Sequence, residues 1–276
     1  MSKKSASKTL FLIGTGALKN GWGPVLAAIN ELEPTIGNDT DAANFWFSRI
    51  IQVWRLTAHV GRATDKDLML QGIEKKAIPK FRRDAAKQGK DNRKLYYELK
   101  QAIANHIHRA MDSGEMALSP EFIRRAADDR WRGLTAYVTT NWDLLLDRAF
   151  GSRGDVHHLH GHVDNWKRML LPSEAPEEPY RTKREEMQIA SSQRQWEGIS
   201  QAKRIVIYGL SLSPLDASLA HTIGMGLDNP AGSAVEEIYI MNCGPDEVRR
   251  VAKRVRMLCP REWPGTIYEL DCCSKS

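Results

Sequence analysis

The side chains best suited to chemistry stand directly after stretches that are typical of buried strands. Asn141 and Asp143 follow the β-branched run 134–140, and a carboxamide can hydrogen-bond both to a water and to a ribose hydroxyl. His160 is followed by Gly161, so an imidazole that titrates near neutral pH stands beside a residue that lets a substrate approach. These three side chains are the candidates for catalysis. For Asn141 and Asp143 the alternative is a helix cap, a position that Asn and Asp favour.

Histidines are concentrated around His160, because four of the eight lie within residues 157–162. If 156–163 is a strand, His158, His160 and His162 share one face, which could form a metal site. The nearby carboxylate lacks the spacing of a metallohydrolase, and no cysteine is close in sequence. The alternative is a single histidine that acts as a general base, and we expect no metal.

Glycine turns follow two further apolar runs. Thr9–Ile13 leads into Gly14–Thr15–Gly16–Ala17, and 204–208 leads into Gly209–Leu210–Ser211. Glycines let backbone N–H groups approach an anion, and the N-terminus of a following helix adds partial positive charge. Asn242, which follows the run 237–241, could bond a ribose. A plain βα turn or a helix cap remains the alternative for each of these positions.

The elements that must position these residues alternate between apolar runs and helical spacing. This pattern predicts an α/β fold, with a Rossmann-like parallel sheet that has helices on both faces. Ligands of such sheets bind at the carboxyl ends of the strands. We therefore expect four strand ends to converge on one crevice: those at Gly14, Asn141, Gly209 and Asn242.

Residues 37–132 depart from this alternation and have an almost wholly helical pattern, with apolar residues at i, i+3 and i+4. We interpret them as a helical insert or cap in a Rossmann-like domain made of 1–36 and 133–276. The insert holds more apolar side chains than a small cap needs, which predicts a homo-oligomer. The aromatic residues behind this prediction include Trp46, Trp54 and Trp131.

Composition sets broad limits on the function. The 276 residues carry a net charge of +6, which suits solvated helix faces or an anionic dinucleotide, and leaves direct nucleic-acid binding uncertain. No apolar run reaches the roughly 18 residues that span a bilayer, and we expect a cytoplasmic protein without membrane contact. The four cysteines lack the spacing of a zinc ribbon, and the adjacent Cys272 and Cys273 are expected to be free thiols.

Taken together and in this order, the motifs resemble the sirtuin superfamily. They are the glycine turn, TTNWD at 139–143, LHG at 159–161, GLSLSPLD at 209–216 and the strand-end Asn242. The similarity is greatest to the sirtuin-like domains of bacterial defence effectors. It covers roughly residues 9–36 and 134–258 and leaves the helical insert unmatched.

The resemblance implies NAD as the bound nucleotide and gives each motif a role. Asn141 matches the catalytic Asn, Asp143 the Asp that shapes the nicotinamide pocket, and His160 the catalytic His. The phosphate turn and the adenosine-side contacts match Gly14, Thr15, Gly16, Ala17, Gly209, Ser211 and Asn242. Thr140 stands where deacylating sirtuins have Gln, and Thr15 where the family usually has Ala.

The expected activity is hydrolysis of NAD⁺ at the bond between nicotinamide and ribose. Deacylating sirtuins carry a four-cysteine zinc ribbon, whereas residues 169–203 contain no cysteine, so water is the expected acceptor. The resemblance also implies a regulated effector of antiphage defence that works in an assembly, with a partner such as a ring-forming DNA translocase. The alternatives are an NAD- or ADP-ribose-binding scaffold, a deacylase, and a metallohydrolase.

Overall fold

The computed structural model describes residues 8–131, 135–151, 156–171, 196–213, 217–229 and 232–273. Its strands are β1 (Thr9–Ile13), β2 (Leu18–Lys19), β3 (Ala117–Leu118), β4 (Thr135–Thr139), β5 (Val156–His158), β6 (Arg204–Tyr208), β7 (Glu237–Asn242) and β8 (Thr266–Asp271). Its helices are α1 (Gly23–Leu32), α2 (Thr40–Arg62), α3 (Asp65–Leu70), α4 (Ile78–Ser113), α5 (Pro120–Ala126), α6 (Leu145–Phe150), α7 (Trp196–Ser200), α8 (Ala217–Leu227) and α9 (Pro245–Leu258).

Six parallel strands form the main sheet in the order β5-β4-β1-β6-β7-β8, and β2 pairs separately with β3. Counted along the chain, this order is 3-2-1-4-5-6, which is the order of a Rossmann-like domain. The predicted fold class is confirmed. The order reverses between β1 and β6, which pair in register from Thr9 with Arg204 to Ile13 with Tyr208. The two strands therefore end at the same level, and the turns that follow them begin side by side.

β1 is buried on both faces because its alternate side chains pack against different helices. Leu10 and Leu12 belong to a cluster with apolar side chains of α7, α8 and α9. Phe11 and Ile13 point to the opposite face, where Phe122 of α5 and residues of α6 cover them. Burying a Leu or Phe side chain contributes about 1.5–3 kcal/mol to the free energy of unfolding. The side chains of β1 therefore stabilise the packing of helices on both faces of the sheet.

The described part of the predicted insert forms α2 to α5 and β3, and a third cluster packs α2 and α4 on α1 and on residues 163–171. The apolar surface that we expected on the insert is largely buried here: Trp46 is 7% exposed and Trp131 is 3% exposed. Trp54 is partly buried against the ring of Tyr96, at 4.8 Å between ring centroids. These tryptophans form core and cannot support the prediction of a homo-oligomer.

The strand predicted over 156–163 is shorter in the structure, because β5 ends at His158. The chain turns at Leu159 and His160, and Gly161 has a φ of +73° with its Cα packed so closely that a Cβ would lie 2.8 Å from the oxygen of Arg168. A left-handed glycine against another backbone segment cannot continue a strand. The predicted common face of His158, His160 and His162 therefore does not form.

The expectation of free thiols is wrong for Cys273, which is bonded to Cys243, whereas Cys272 is free. The reason is β8, a strand that we did not predict. It pairs with β7 and brings the residues beyond the two strand ends together. Cys272 packs against the apolar cluster on the α5 side of the sheet.

Two segments named in the sequence analysis lie partly outside the described residues. Of the cysteine-free segment 169–203, residues 172–195 are not described and α7 begins at Trp196; Asp216 of the GLSLSPLD motif is not described either. Among the described residues, no helix has both the length and the apolar character to cross a membrane.

Candidate active site

Two glycine turns touch each other where the strand order reverses. The amide of Gly14 donates to the oxygen of Tyr208, and the amide of Gly16 donates to the oxygen of Gly209, both at 3.0 Å. Gly209 has a φ of +62°, and a Cβ on it would lie 2.6 Å from the backbone of Gly16 and Ala17. Only glycine satisfies both the conformation and the close approach at this position.

A cavity of about 380 Å³ opens at these turns, which is within the usual range for small-molecule sites of roughly 300–1,000 Å³. Eight of the predicted site residues line it: Gly14, Thr15, Thr140, Asn141, Asp143, His160, Gly209 and Ser211. Gly16, Ala17 and Asn242 are not part of the lining. The carboxyl ends of β1, β4 and β6 thus meet around one space, together with the turn that follows β5.

Asn141 is the most firmly held of these side chains and is 4% exposed. Its backbone amide donates to Thr139 Oγ1 at 3.0 Å, and its Nδ2 donates to the oxygen of Gly14 at 3.2 Å. Its Oδ1 is buried without a partner among the described residues. An unpaired buried acceptor costs about 1–3 kcal/mol, a cost that a donor on a bound ligand removes.

Asp143 is 3% exposed and lies two residues beyond Asn141. One carboxylate oxygen accepts from the amide of Leu145 at 3.0 Å at the start of α6. Burial raises the pKa of this carboxyl above its ordinary value, although the bond from Leu145 and the neighbouring His158 act in the opposite direction. Asp143 therefore bonds the first amide of α6 from the position before the N-cap residue Leu144, and it also lines the cavity.

His160 is partly exposed and lines the cavity from the turn after β5. The turn is fixed because the oxygen of His160 accepts from the amide of Leu170 at 2.8 Å. His158 faces elsewhere: its nitrogens lie 2.9 Å from the backbone oxygen of Asn141 and 2.9 Å from Asp147 Oδ2. Among the described residues, no three His, Cys, Asp or Glu side chains are grouped to hold a metal ion.

Asn242 lies behind the cavity wall. Its Nδ2 donates to the oxygen of Leu210 at 2.8 Å, and Arg254 of α9 donates to the next carbonyl, that of Ser211, at 2.6 Å. The turn after β6 is thus held at two successive carbonyls. Leu212 has a φ of +49°, a conformation that non-glycine residues rarely adopt unless their surroundings impose it.

The sequence reasoning missed the side chains that reach the cavity from outside the strand ends. They are Leu18, Trp22, Val25, Thr40, Asp41, Asn44, Ile107, Met116, Trp142 and Ser213. Asn44 stands out because its Oδ1 is a second buried acceptor without a partner among the described residues. Asp39 is of a residue type that favours the N-cap position and accepts from the amides of Asp41 and Ala42 at the start of α2, but nothing in the sequence places that helix at the cavity.

No Lys or Arg is among the described side chains that line the cavity, whereas Asp41 and Asp143 are. An anionic ligand would therefore depend on hydroxyl groups and on backbone amides other than those of Gly14, Gly16, Ala17 and Gly209, which donate to backbone oxygens. A cationic group would find two carboxylates nearby.

No family model, curated protein or solved structure matches the chain. The function is therefore argued from the geometry of this cavity and from the residues that line it.

We predict that Gly209→Ala is more destabilising than a glycine substitution with the same backbone strain but open space. Gly72 is the matched control, since its φ is +85° and nothing lies within 4 Å of an added Cβ. In both variants alanine has to adopt a left-handed conformation, but only Gly209→Ala also forces the backbone of residue 209 away from that of Gly16 and Ala17. We expect an additional loss of about 1–3 kcal/mol, measured by urea unfolding. Equal losses in the two variants would contradict the close contact of the turns.

We predict that Asp143→Asn raises the melting temperature at neutral pH and that the gain shrinks in acid. The folded pKa of Asp143 is raised, so the folded state binds the proton more tightly than the unfolded chain does. The ionised form is therefore destabilising, and this effect grows as the pH rises from the unfolded to the folded pKa. Melting curves between pH 4 and 8 test this, with exposed Asp84→Asn on α4 as the control for removing a negative charge. A lower melting temperature for Asp143→Asn at pH 8 would contradict the sign.

Proposed function

We propose that this protein hydrolyses NAD⁺ to nicotinamide and ADP-ribose. The observation that carries the proposal is the pair of buried carboxamide oxygens, Asn141 Oδ1 and Asn44 Oδ1, that lack donors among the described residues while both side chains line one cavity. A ligand that brings several donors into a polar niche satisfies them. The ribose hydroxyls and the amide of nicotinamide are such donors.

The glycine turns support a nucleotide with a pyrophosphate. They lie at the reversal of the strand order, where Rossmann-like sheets bind dinucleotides. Thr15 and Ser211 line the cavity with hydroxyl-bearing side chains, and turns of this type can bind phosphate oxygens without a Lys or Arg, while the amide of Gly209 itself donates to Met241. The resemblance of these motifs to sirtuins favours NAD⁺ over other dinucleotides of this type.

The carboxylates support binding of a cationic ring at the other end of the ligand. In NAD⁺ the nicotinamide nitrogen carries a positive charge, which is lost when its bond to the ribose carbon breaks. Asp143, buried against the cavity, shapes the pocket for the nicotinamide ring in this proposal. Its raised pKa lowers the fraction of Asp143 that is ionised at a given pH, and we assign the proton transfer to His160 instead.

His160 is the proton acceptor in the proposed reaction. Water supplies the oxygen of the new bond to the ribose carbon, the bonding electrons of the broken bond leave with nicotinamide, and one proton of the water is released. An imidazole that lines the cavity takes that proton near neutral pH. Asn141 orients the ribose or the water through its unpaired oxygen, and neither role needs a metal ion.

The biological setting is part of the same proposal. Since NAD⁺ is an abundant intracellular metabolite, uncontrolled hydrolysis would harm the host, and we place the activity in the cytoplasm under the control of a defence assembly. A partner such as a ring-forming DNA translocase is the trigger that the sirtuin-like effectors suggest.

We predict that Asn141→Ala and His160→Ala each lower NAD⁺ hydrolysis by about 10²–10⁴-fold, the usual loss for a positioned proton-transfer or orienting group. The measurement is nicotinamide release, with thermal melting on the same samples. Asn141→Ala also loses its bond to Gly14, worth about 0.5–1.5 kcal/mol, so a small drop in melting temperature is expected.

His157→Ala is the control, because His157 is on β5 next to His158 but does not line the cavity. It should keep the parent rate. An acyl-lysine peptide added with NAD⁺ separates hydrolysis from deacylation, because only a deacylase produces acyl-ADP-ribose. If both site variants fold like the parent and hydrolyse NAD⁺ within about tenfold of it, the assigned site is wrong.

We also predict a homo-oligomer that uses α2. Phe45 and Leu56 lie three turns apart on that helix and are 75% and 51% exposed, so a second copy of the same face would bury apolar groups on both sides. Light scattering should show a mass above that of one chain, and Phe45→Ser should reduce it. Met257→Ser on α9, also a strongly exposed apolar residue at 77%, should leave it unchanged. A parent that is monomeric across micromolar concentrations would contradict the prediction.

A further inference from the structure

His158 joins the end of β5 to two other elements behind the cavity. Its Nδ1 lies 2.9 Å from the backbone oxygen of Asn141, and its Nε2 lies 2.9 Å from Oδ2 of Asp147 on α6. The side chain of His158 is 6% exposed and that of Asp147 is 39% exposed. His158 does not line the cavity, so it contacts a residue of the cavity wall without reaching the ligand space.

The two partners restrict how the ring can hydrogen-bond. A peptide oxygen only accepts hydrogen bonds, and so does an ionised carboxylate. With Asp147 ionised, both ring nitrogens therefore donate, as in an imidazolium cation. The charged groups around it are the carboxylates of Asp147 and Asp143, and the ring of His162 lies 5.4 Å away between centroids.

This cation completes the restraint of Asn141. The backbone amide of Asn141 donates to Thr139, its Nδ2 donates to Gly14, and its backbone oxygen accepts from His158. Only Oδ1 is left without a partner among the described residues. The polar atom that remains for a ligand is thus carried by a residue whose other polar atoms are all held, as a preorganised site requires.

We propose that His158, charged and held by Asp147, is a positioning residue that fixes the Asn141 backbone and thereby directs its carboxamide into the cavity. The effect on rate rests on the proposed NAD⁺ hydrolysis, whereas the hydrogen bonding of His158 does not. A displacement of about 1 Å in a positioned group can cost roughly 10²-fold in rate. Because His158 does not touch the ligand space, its loss lowers kcat and leaves KM nearly unchanged.

Two substitutions separate the two bonds of the ring. In His158→Asn the amide group takes the place of Nδ1 and can still donate to Asn141. In His158→Gln the amide group reaches the position of Nε2 and can bond Asp147 but not Asn141. We expect His158→Asn to keep kcat within about threefold of the parent, and His158→Gln to lose roughly 10- to 100-fold in kcat. His157→Asn and His157→Gln are the matched controls on the same strand and should behave like the parent.

Equal kcat in the two His158 variants, whether both fall or neither does, would overturn the positioning role. A change in KM without a change in kcat would overturn it as well. Melting temperatures are measured on the same samples to give the fraction of each variant that is folded. The ratio of the two kcat values has to be larger than the ratio of the two folded fractions.

An activity-independent measurement tests the hydrogen bonds themselves. In ¹⁵N-histidine-labelled parent protein at neutral pH, we expect both His158 ring nitrogens to be protonated. In uniformly ¹⁵N-labelled samples, we expect the amide resonance of Trp142 to move in His158→Gln but not in His158→Asn. A ring nitrogen without a proton, or an unmoved Trp142 resonance, would overturn the inference. If the parent shows the expected spectra but releases no nicotinamide, the proposed hydrolysis fails while the His158 contact to Asn141 stands.

Discussion

The structure around the candidate site depends on the backbone contact between the turns after β1 and β6. The amide of Gly16 donates to the oxygen of Gly209 at 3.0 Å, and this distance leaves no room for a side chain at Gly209. The two strands on either side of the reversal in strand order are thereby brought to one level. Asn141, just beyond the end of β4, donates to the Gly14 carbonyl. The position of Asn141 in the cavity wall therefore depends on the same contact between the turns.

In this cavity, different groups would bind the anionic and the cationic parts of a ligand. Because no Lys or Arg is in the described lining, a phosphate depends on backbone and hydroxyl groups of the turns. The charged side chains among the described lining are the carboxylates of Asp41 and Asp143. This arrangement suits a ligand that is anionic at its centre and cationic at one end, as NAD⁺ is.

Local patterns were sufficient to predict the strands that are buried on both faces. The residues Thr9–Ile13 and 204–208 are continuous apolar runs that end in glycine, and both strands have those bounds in the structure. β8 could not be predicted in this way, because it is an edge strand with mostly exposed or half-buried residues. Without β8, the pairing of Cys273 with Cys243 was out of reach, since nothing in the cysteine spacing brings the two residues together.

The same limit applies to the site. Strand ends are predictable, so Asn141, Asp143, His160 and both glycine turns could be assigned to one crevice from the sequence. Asn44 and Asp41 reach that crevice only because α2 packs across it on α1, which is a tertiary event with no local signal. A period of two residues grouped His158 with His160 on one face, but β5 ends at His158 and the chain turns at Leu159 and His160.

The central claim is that water attacks the ribose carbon of NAD⁺ in this cavity. The most direct test is to incubate the purified protein with NAD⁺ in ¹⁸O-labelled water and to analyse the products by mass spectrometry. Hydrolysis predicts free nicotinamide and ADP-ribose with one labelled oxygen, both absent when Asn141→Ala replaces the parent. Intact NAD⁺ with the parent, or ADP-ribose formed equally by Asn141→Ala, would contradict the claim.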